Sequence, residues 1–525
     1  MGEGVSSGLL AAVTTLVNLL IEENTPKEIR PYLFGGRLVA LLKKGGGVRP
    51  IVVGLTLRRL TSKLVSKHAA SLLAPTLSPL QVGVGVSRGV EAVVHATRAF
   101  VQSLGPTDVL VKLDFTNAFN CVRRDAVLEA VLDHIPGAYP YIHAAYSAPS
   151  FLGYDGHIIS SAEGVQQGDP LGPLLFCLAV HPVLSNSQAE FRVGYLDDMS
   201  LGGDIQQIDK EVTNLKSVAA GIGLCLNVSK CELISASPLS SVPTSLAGFQ
   251  QTTVSESIML GAPLLNGKAM DDIWEHHRDS FVIAGTRLKN LHAHDALVIV
   301  KHSLSLPKLL FHLRCTYSGD HPMLQILDMK LRDMVSQILN VDLSDQQWNQ
   351  AALPVKWGGL GIRKTTQVAP SAYLASVAGV KDLVSSILPA GHARLPDRVL
   401  DKAVERWKAY GGLSQPSGPE AQIQKCWDQQ VLKKTSEMLM QEASDDYSKA
   451  RIRASLAPHA GEWLNAPPIS AVGLRLSNEA LRVAVGLRLG ANICAPHVCR
   501  CSAQVDACGI HGLSCVRSAG RQLRH

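Results

Sequence analysis

Between Ile29 and Val90 the chain has no aspartate or glutamate, yet ten lysines and arginines fall there: Arg30, Arg37, Lys43, Lys44, Arg49, Arg58, Arg59, Lys63, Lys67 and Arg88. A solvated face normally mixes both signs, so a one-signed segment of this length points to a phosphate-rich ligand. No apolar run approaches the ~20 residues needed to cross a bilayer. The longest, "GLLAAVTTLVNLLI" at Gly8 to Ile21, lacks the basic start of a signal peptide and reads as a buried helix. The 11 cysteines are an odd number scattered over 525 residues, which excludes a small secreted disulfide framework and favours a reducing compartment. Internal repeats and low-complexity tracts are also missing.

What remains is globular in composition, with 46% hydrophobic and 18% charged residues and a net charge of +6. The length suggests about three or four domains. A helical start, residues 1–28, is followed by the basic segment 29–105, where two β-rich runs flank the glycine turn Gly45 to Gly47. Residues 106–265 read as strand, helix, apolar helix and hairpin, an α+β layer with helices on one face. Helical patterns then occupy 270–345 and 346–490, separated by the Gly-rich joint "LPVKWGGLGIRK", and 491–525 form a Cys- and His-rich tail.

Two carboxylates stand side by side in "FRVGYLDDMSLGG", at the tip of an expected hairpin. Their mutual repulsion is costly unless a cation relieves it. Asp114, at the end of the apolar strand in "VLVKLDFTNAF", is the best third carboxylate. Strands ending at one edge would bring Asp114, Asp197 and Asp198 together as a site for hard divalent cations. Two such ions about 3.5–4 Å apart can clamp the attacking and leaving oxygens of a phosphoryl transfer. In the tail, Cys499, Cys501, His511 and Cys515 form C-x-C-x9-H-x3-C, a soft four-ligand set suited to tetrahedral Zn²⁺. Cys494, His497 and Cys508 are alternative ligands, and ordinary buried cysteines are the competing reading.

"LVKLDFTNAF", "GVQQGDPLGPLLF", "VGYLDDMSL", "GLCLNVSKCELIS" and "IMLGAPL" occur in this order, and together they resemble the successive palm motifs of reverse transcriptases. Tyr195 to Asp198, Tyr-x-Asp-Asp, is the most specific of these. The resemblance is strong over residues 30–265 and extends, through the Gly-rich joint and the tail, to site-specific non-LTR retrotransposons with a C-terminal zinc knuckle. It implies an α+β right-hand polymerase: fingers at 29–105, palm at 106–265, thumb at 270–345, a helical extension at 346–490 and a zinc knuckle at 491–525. Asp114, Asp197 and Asp198 would be catalytic and hold two Mg²⁺, with Asp198 in the more indirect role, and Lys230 would protonate the departing pyrophosphate. Phe119 would be the ring that excludes a ribose 2′-hydroxyl. Gln167, Gly168 and Tyr195 would lie against the incoming nucleotide, Lys43, Lys44 and Arg49 would hold its triphosphate, and the turn Leu260–Gly261 would grip the primer. The implied partners are RNA template, DNA primer, target DNA and dNTPs, without a membrane, and the implied compartment is the nucleus. The chain reads as a fragment of a longer polyprotein, and the short flanks of this fragment are expected to leave no room for a nuclease domain. The competing reading is a catalytically inactive or co-opted nucleic-acid-binding relic, against which the intact aspartates, ring and glycines argue.

Overall fold

The computed structural model describes residues 2–43, 46–390, 392 and 398–517. The chain divides into two units, Met1–Leu264 with Lys381–Leu395, and Leu265–Val380 with Pro396–His525.

The first unit is built on two sheets. Strands β1 (Gly36–Leu42), β2 (Val48–Gly54), β4 (Ser150–Tyr154) and β5 (His157–Ser161) form one, in the order β2-β1-β4-β5. The other takes β3 (Asp108–Leu113), β6 (Phe191–Tyr195), β7 (Asp198–Asp204), β8 (Glu232–Ser235) and β9 (Gln250–Thr253), in the order β6-β7-β3-β8-β9. The β4–β5 hairpin turns at Asp155–Gly156, both with positive φ, as a two-residue primed turn requires. The sequence reading passed over this Asp-Gly signal.

Strand β3 is the centre of the larger sheet, pairing antiparallel with β7 on one side and β8 on the other. Its near-continuous apolar sequence follows from burial on both faces, since Val109, Leu110 and Val111 are all fully buried. Val109, Val111, Leu113, Met199 and Leu201 share a core with helices Gly172–Ser185 and Ile205–Gly221. The opposite face is covered by helix Gly89–Val101, whose Phe100 stacks on Phe191 at 4.7 Å and occupies the space a side chain at Gly202 would need. Helices therefore pack on both faces, not one. Helix Gly2–Ile21 is also more open than expected: Val17 and Leu20 are buried, but Leu9, Leu10, Leu16 and Leu19 face solvent. Its leucines surround the helix, and a single line of contact can cover only one side of them.

A buried polar network ties helix Thr56–Leu77 to the segments before β1 and before helix Gly172–Ser185. Arg58, on helix Thr56–Leu77, donates through Nη2 to Asp169 Oδ2 (2.9 Å) and through Nη1 to Gln166 Oε1 (2.7 Å) and the carbonyl of Phe34. Tyr146 donates to the same Asp169 oxygen at 2.7 Å. Arg58 and Asp169 are both almost wholly inside, so each is the other's compensation for lost hydration.

In the second unit, helices Lys268–Leu288, Ala293–Ile299 and Pro322–Leu339 share one core with Leu360, Ile362, Val368, Leu481 and Val485. The Gly-rich joint therefore packs into this core. A Cβ at Gly359 would lie 2.0 Å from the Leu353 carbonyl oxygen, which explains a glycine there better than flexibility does. Asp328 receives the backbone N–H groups of Thr365 (2.6 Å) and Thr366 (3.2 Å) and both hydroxyls, fixing where the next helix begins. The stretch Ala293–Cys315 is long and apolar enough to cross a membrane by length and composition, and its Ala296, Leu297, Val300, Leu309 and Leu313 are buried in the core of this unit.

Replacing Arg58 by Met should cost about 3–5 kcal/mol in urea unfolding, because Asp169 is left charged and buried. Tyr146→Phe should cost only about 1 kcal/mol, since Asp169 keeps its cation. Equal losses in the two variants would show that the ion pair is not what holds this junction.

Candidate active site

The pairing Tyr195↔Asp198 leaves Leu196 and Asp197 as a two-residue turn between β6 and β7. Leu196 adopts φ +58°, a left-handed conformation costing a non-glycine residue about 1–2 kcal/mol. The turn is held from outside the hairpin: buried Gln81 donates through Nε2 to the Leu196 carbonyl (3.0 Å) and accepts from the Leu196 N–H (2.9 Å). Sequence reasoning missed Gln81, whose partner lies 115 residues away.

Asp114 follows β3 directly, and the pair Leu113↔Met199 brings it to the same sheet edge as Asp198. Its backbone is pinned on both sides, the N–H reaching Cys231 Sγ (3.4 Å) and the carbonyl accepting from the Asn227 N–H (2.8 Å). Burial raises the carboxyl of Asp197 above its ordinary range, Asp114 raises it further, and Arg49 and Lys43 pull it back. Asp198 keeps a solvent-exposed face, yet protein crowded around its carboxyl, then Asp197 and Asp114, lift it to about 6, against Lys112. Lys112 is itself engaged with Glu232 (2.6 Å) and the carbonyl of Ile258 (2.7 Å). Asp197 and Asp198 thus lack full compensation from protein cations, the condition of a site made for divalent cations.

The structure places the remaining sequence candidates as follows. Lys43 and Arg49 flank the β1–β2 turn and reach Asp197 electrostatically, while Lys44 lies outside the described residues. The half-buried ring of Phe119 stacks on Phe176 at 4.5 Å. Gln167 accepts the Val52 N–H of β2 at 2.7 Å. Gly168 has φ +111°, and its missing Cβ would lie 2.3 Å from the Val52 carbonyl oxygen. The close approach seen at this glycine is therefore to strand β2. Tyr195 is half-buried above Cys177, and burial first, then that thiol, raises its phenol. Lys230 is exposed on the turn Val228–Lys230. Leu260 and Gly261, with φ +47° and +85°, form the primed turn between β10 (Ile258–Met259) and β11 (Ala262–Pro263).

The tail brings Cys499, Cys501, His511 and Cys515 together, one ligand atom from each lying within 4.8 Å of all the others. Cys499 Sγ and Cys515 Sγ are 3.7 Å apart, close to the ~3.8 Å edge of a tetrahedron with Zn–S bonds near 2.3 Å. Cys501 Sγ and His511 Nε2 are 3.1 Å apart. Cys494 instead donates to the carbonyl of Asp506 (3.2 Å), and His497 to that of Ala495 (2.9 Å), outside this set. The donor set and its spacing fit a soft tetrahedral cation.

A central antiparallel strand followed by one aspartate, beside a hairpin carrying two, gathers three carboxylates at one sheet edge, an arrangement suited to divalent cations. Residues 41–264 match the family model for reverse transcriptase (RNA-dependent DNA polymerase), and the chain resembles proteins of retrotransposable elements. The chain is 25% identical over 390 residues to the retrotransposable element SLACS 132 kDa protein of Trypanosoma brucei gambiense, covering 71% of this chain and 32% of that protein. To the Pol polyprotein of the type-2 retrotransposable element R2DM of Drosophila melanogaster it is 25% identical over 372 residues, covering 63% and 32%. It spans about a third of the length of these relatives. Among solved structures, telomerase of Candida albicans in complex with a fragment of telomeric RNA aligns with a TM-score of 0.38 at 12% identity, covering 73% of this chain and 65% of that one.

The raised Asp198 carboxyl has a consequence for stability. Folded Asp198 keeps its proton until about pH 6, whereas the unfolded group releases it near 3.8. The native state therefore binds more protons between these values, and this group's effect on stability worsens as pH rises through that window. In EDTA at about pH 7.5, Asp198→Asn should melt above wild type, and the difference should vanish near pH 4. A variant no more stable than wild type at the higher pH would contradict the strained-carboxylate description.

Proposed function

We propose that this chain extends a DNA primer 3′-end by copying RNA, with dNTPs as substrates, in the target-primed insertion of a non-LTR retroelement in the nucleus. The observation that carries the reading is the meeting of Asp114, Asp197 and Asp198 at one sheet edge, with Arg49 and Lys43 within electrostatic reach of Asp197. Two Mg²⁺ held by Asp114 and Asp197 would supply charge stabilisation for the attacking oxygen and the leaving pyrophosphate.

The residues divide the remaining work. Arg49 offers a planar two-donor fork to the triphosphate, and Lys43 and Lys44 add point charges. Phe119, its ring seated on Phe176, lies under the nucleotide sugar and leaves no room for a 2′-hydroxyl. Gln167 and Gly168 are fixed on β2 and line the nucleotide with Tyr195. Lys230 supplies a proton to the departing pyrophosphate, and Asp198 keeps the local field negative. Phosphoryl transfer of this kind rests on position and charge, so no covalent enzyme intermediate is needed. Leu260–Gly261 bears on the primer. In the tail, Cys499, Cys501, His511 and Cys515 hold one structural Zn²⁺.

Primer extension on poly(rA)·oligo(dT) tests the central claim. Asp114→Asn or Asp197→Asn should lower Mg²⁺-dependent extension at least about 100-fold while primer-template affinity stays equal or tightens, because negative charge near phosphate is removed. Wild-type rates in either variant would remove the aspartates from the chemistry. Elemental analysis of purified protein should find about one zinc per chain, lost in Cys499→Ser combined with His511→Ala, with extension of a simple primer largely retained. Metal-free wild-type protein, purified without chelator, would refute the ligand set.

A further inference from the structure

Strand β6 is an edge of its sheet, and the segment Leu80–Gly83 runs along its free side. Gly194 donates its N–H to the Leu80 carbonyl (2.6 Å), and Val82 donates its N–H to the Gly194 carbonyl (2.9 Å). Beyond that rung the backbone pairing stops, and the Gln81 carboxamide takes over. Its Oε1 accepts the N–H groups of Leu196 (2.9 Å) and Gly83 (3.1 Å), while its Nε2 donates to the Leu196 carbonyl (3.0 Å). A side-chain amide has the donor and acceptor of a peptide unit, so Gln81 continues the ladder to the residue before Asp197. The fit is close: a Cβ on Gly83 would lie 2.6 Å from the Leu196 nitrogen, and one on Gly194 would lie 2.9 Å from Gln81 Nε2. Gln81 is wholly buried, and its three side-chain hydrogen bonds go to the turn or to its own loop.

We propose that Gln81 is a positioning residue for polymerisation: it holds Leu196 in the left-handed conformation that sets the direction of the Asp197 carboxylate. The inference rests on the polymerase reading above. Leu196 has no glycine-like freedom, so its conformation needs an external restraint, and Gln81 bonds both its N–H and its C=O. A buried glutamine satisfying its own amide would serve the fold alone. Here the partner is the residue between Tyr195 and the two aspartates, which ties its hydrogen bonds to metal-site geometry.

Two variants separate these roles. Gln81→Met keeps the length and removes all three hydrogen bonds, and Gln81→Glu keeps the acceptor but loses the neutral-amide donor. The readouts are single-nucleotide incorporation per active site counted by burst titration, KM for dNTP, melting temperature, and Mn²⁺ affinity by electron paramagnetic resonance. Positioning through Gln81 should lower kcat per active site about 10–100-fold in Gln81→Met, as for other residues that orient a metal ligand, with KM for dNTP within about twofold. Mn²⁺ should bind correspondingly more weakly, and Gln81→Glu should fall between wild type and Gln81→Met. Wild-type kcat per active site and Mn²⁺ affinity, with only a lower melting temperature, would overturn the proposal. Should Gln81→Met not fold, Gln81→Glu decides by the same two quantities. Wild-type protein that extends no primer would defeat the polymerase reading, while Mn²⁺ affinity would still report whether Gln81 sets the turn.

Discussion

The register between β3 and β7 is the constraint on which the rest of the site depends. Six consecutive pairs, from Asp108↔Asp204 to Leu113↔Met199, leave Asp114 at the end of one strand facing the start of the other. A slip of one residue would turn Val109, Val111 and Leu113 away from the helices beneath them and move Asp114 off the shared edge. The apolar core and the acidic site therefore enforce the same alignment. On its other side, β3 is fixed by β8, and the loop before β8 closes on Asp114 through Asn227 and Cys231. Both flanks of the central strand must be correct before the first aspartate is placed.

The basic segment serves two different ends. Arg58 is withdrawn from solvent and bonded to Gln166 and Asp169, which lie either side of Gln167 and Gly168. Those two residues are in turn pressed against Val52 of β2. Arg49 and Lys43, at the far end of the same hairpin, stay exposed and act on Asp197 through space. One cation fixes the sheet that carries two others, so removing it would disturb their aim as well as the fold.

What the sequence revealed depended on how far apart the cooperating residues lie. The Tyr-x-Asp-Asp hairpin and the grouping of the C-x-C-x9-H-x3-C set could be read because the residues that come together in each lie within one short stretch of chain. Asp114 could be inferred because an apolar strand ending in a carboxylate has few alternatives. Gln81 and Arg58 could not, since their partners lie more than 100 residues away and nothing in local composition marks either side chain as buried. The packing of the Gly-rich joint could not be read for the opposite reason. Glycine signals either freedom or close approach, and only the Leu353 carbonyl pressed against Gly359 distinguishes the two. Likewise, the leucines of Gly2–Ile21 report helix and apolarity but not how much protein is available to cover them.

The two acidic centres of the first unit show why a buried charge must be read with its partners. Asp169 lies deep inside, yet it receives an N–H of the Arg58 guanidinium and a tyrosine hydroxyl, and its role ends with the fold. Asp197 and Asp198 are less enclosed, but they face another carboxylate and only distant or otherwise engaged cations, and both are pushed upward. Depth alone would rank Asp169 as the more unusual group. Incomplete compensation identifies the other pair instead: a protein that could have paired these carboxylates, as it paired Asp169, leaves their charge for something that arrives from outside. The left-handed Leu196, restrained from a neighbouring loop, adds a second local cost at the same place. Two unfavourable features within three residues, each held by well-packed surroundings, mark where the fold gives up stability for chemistry.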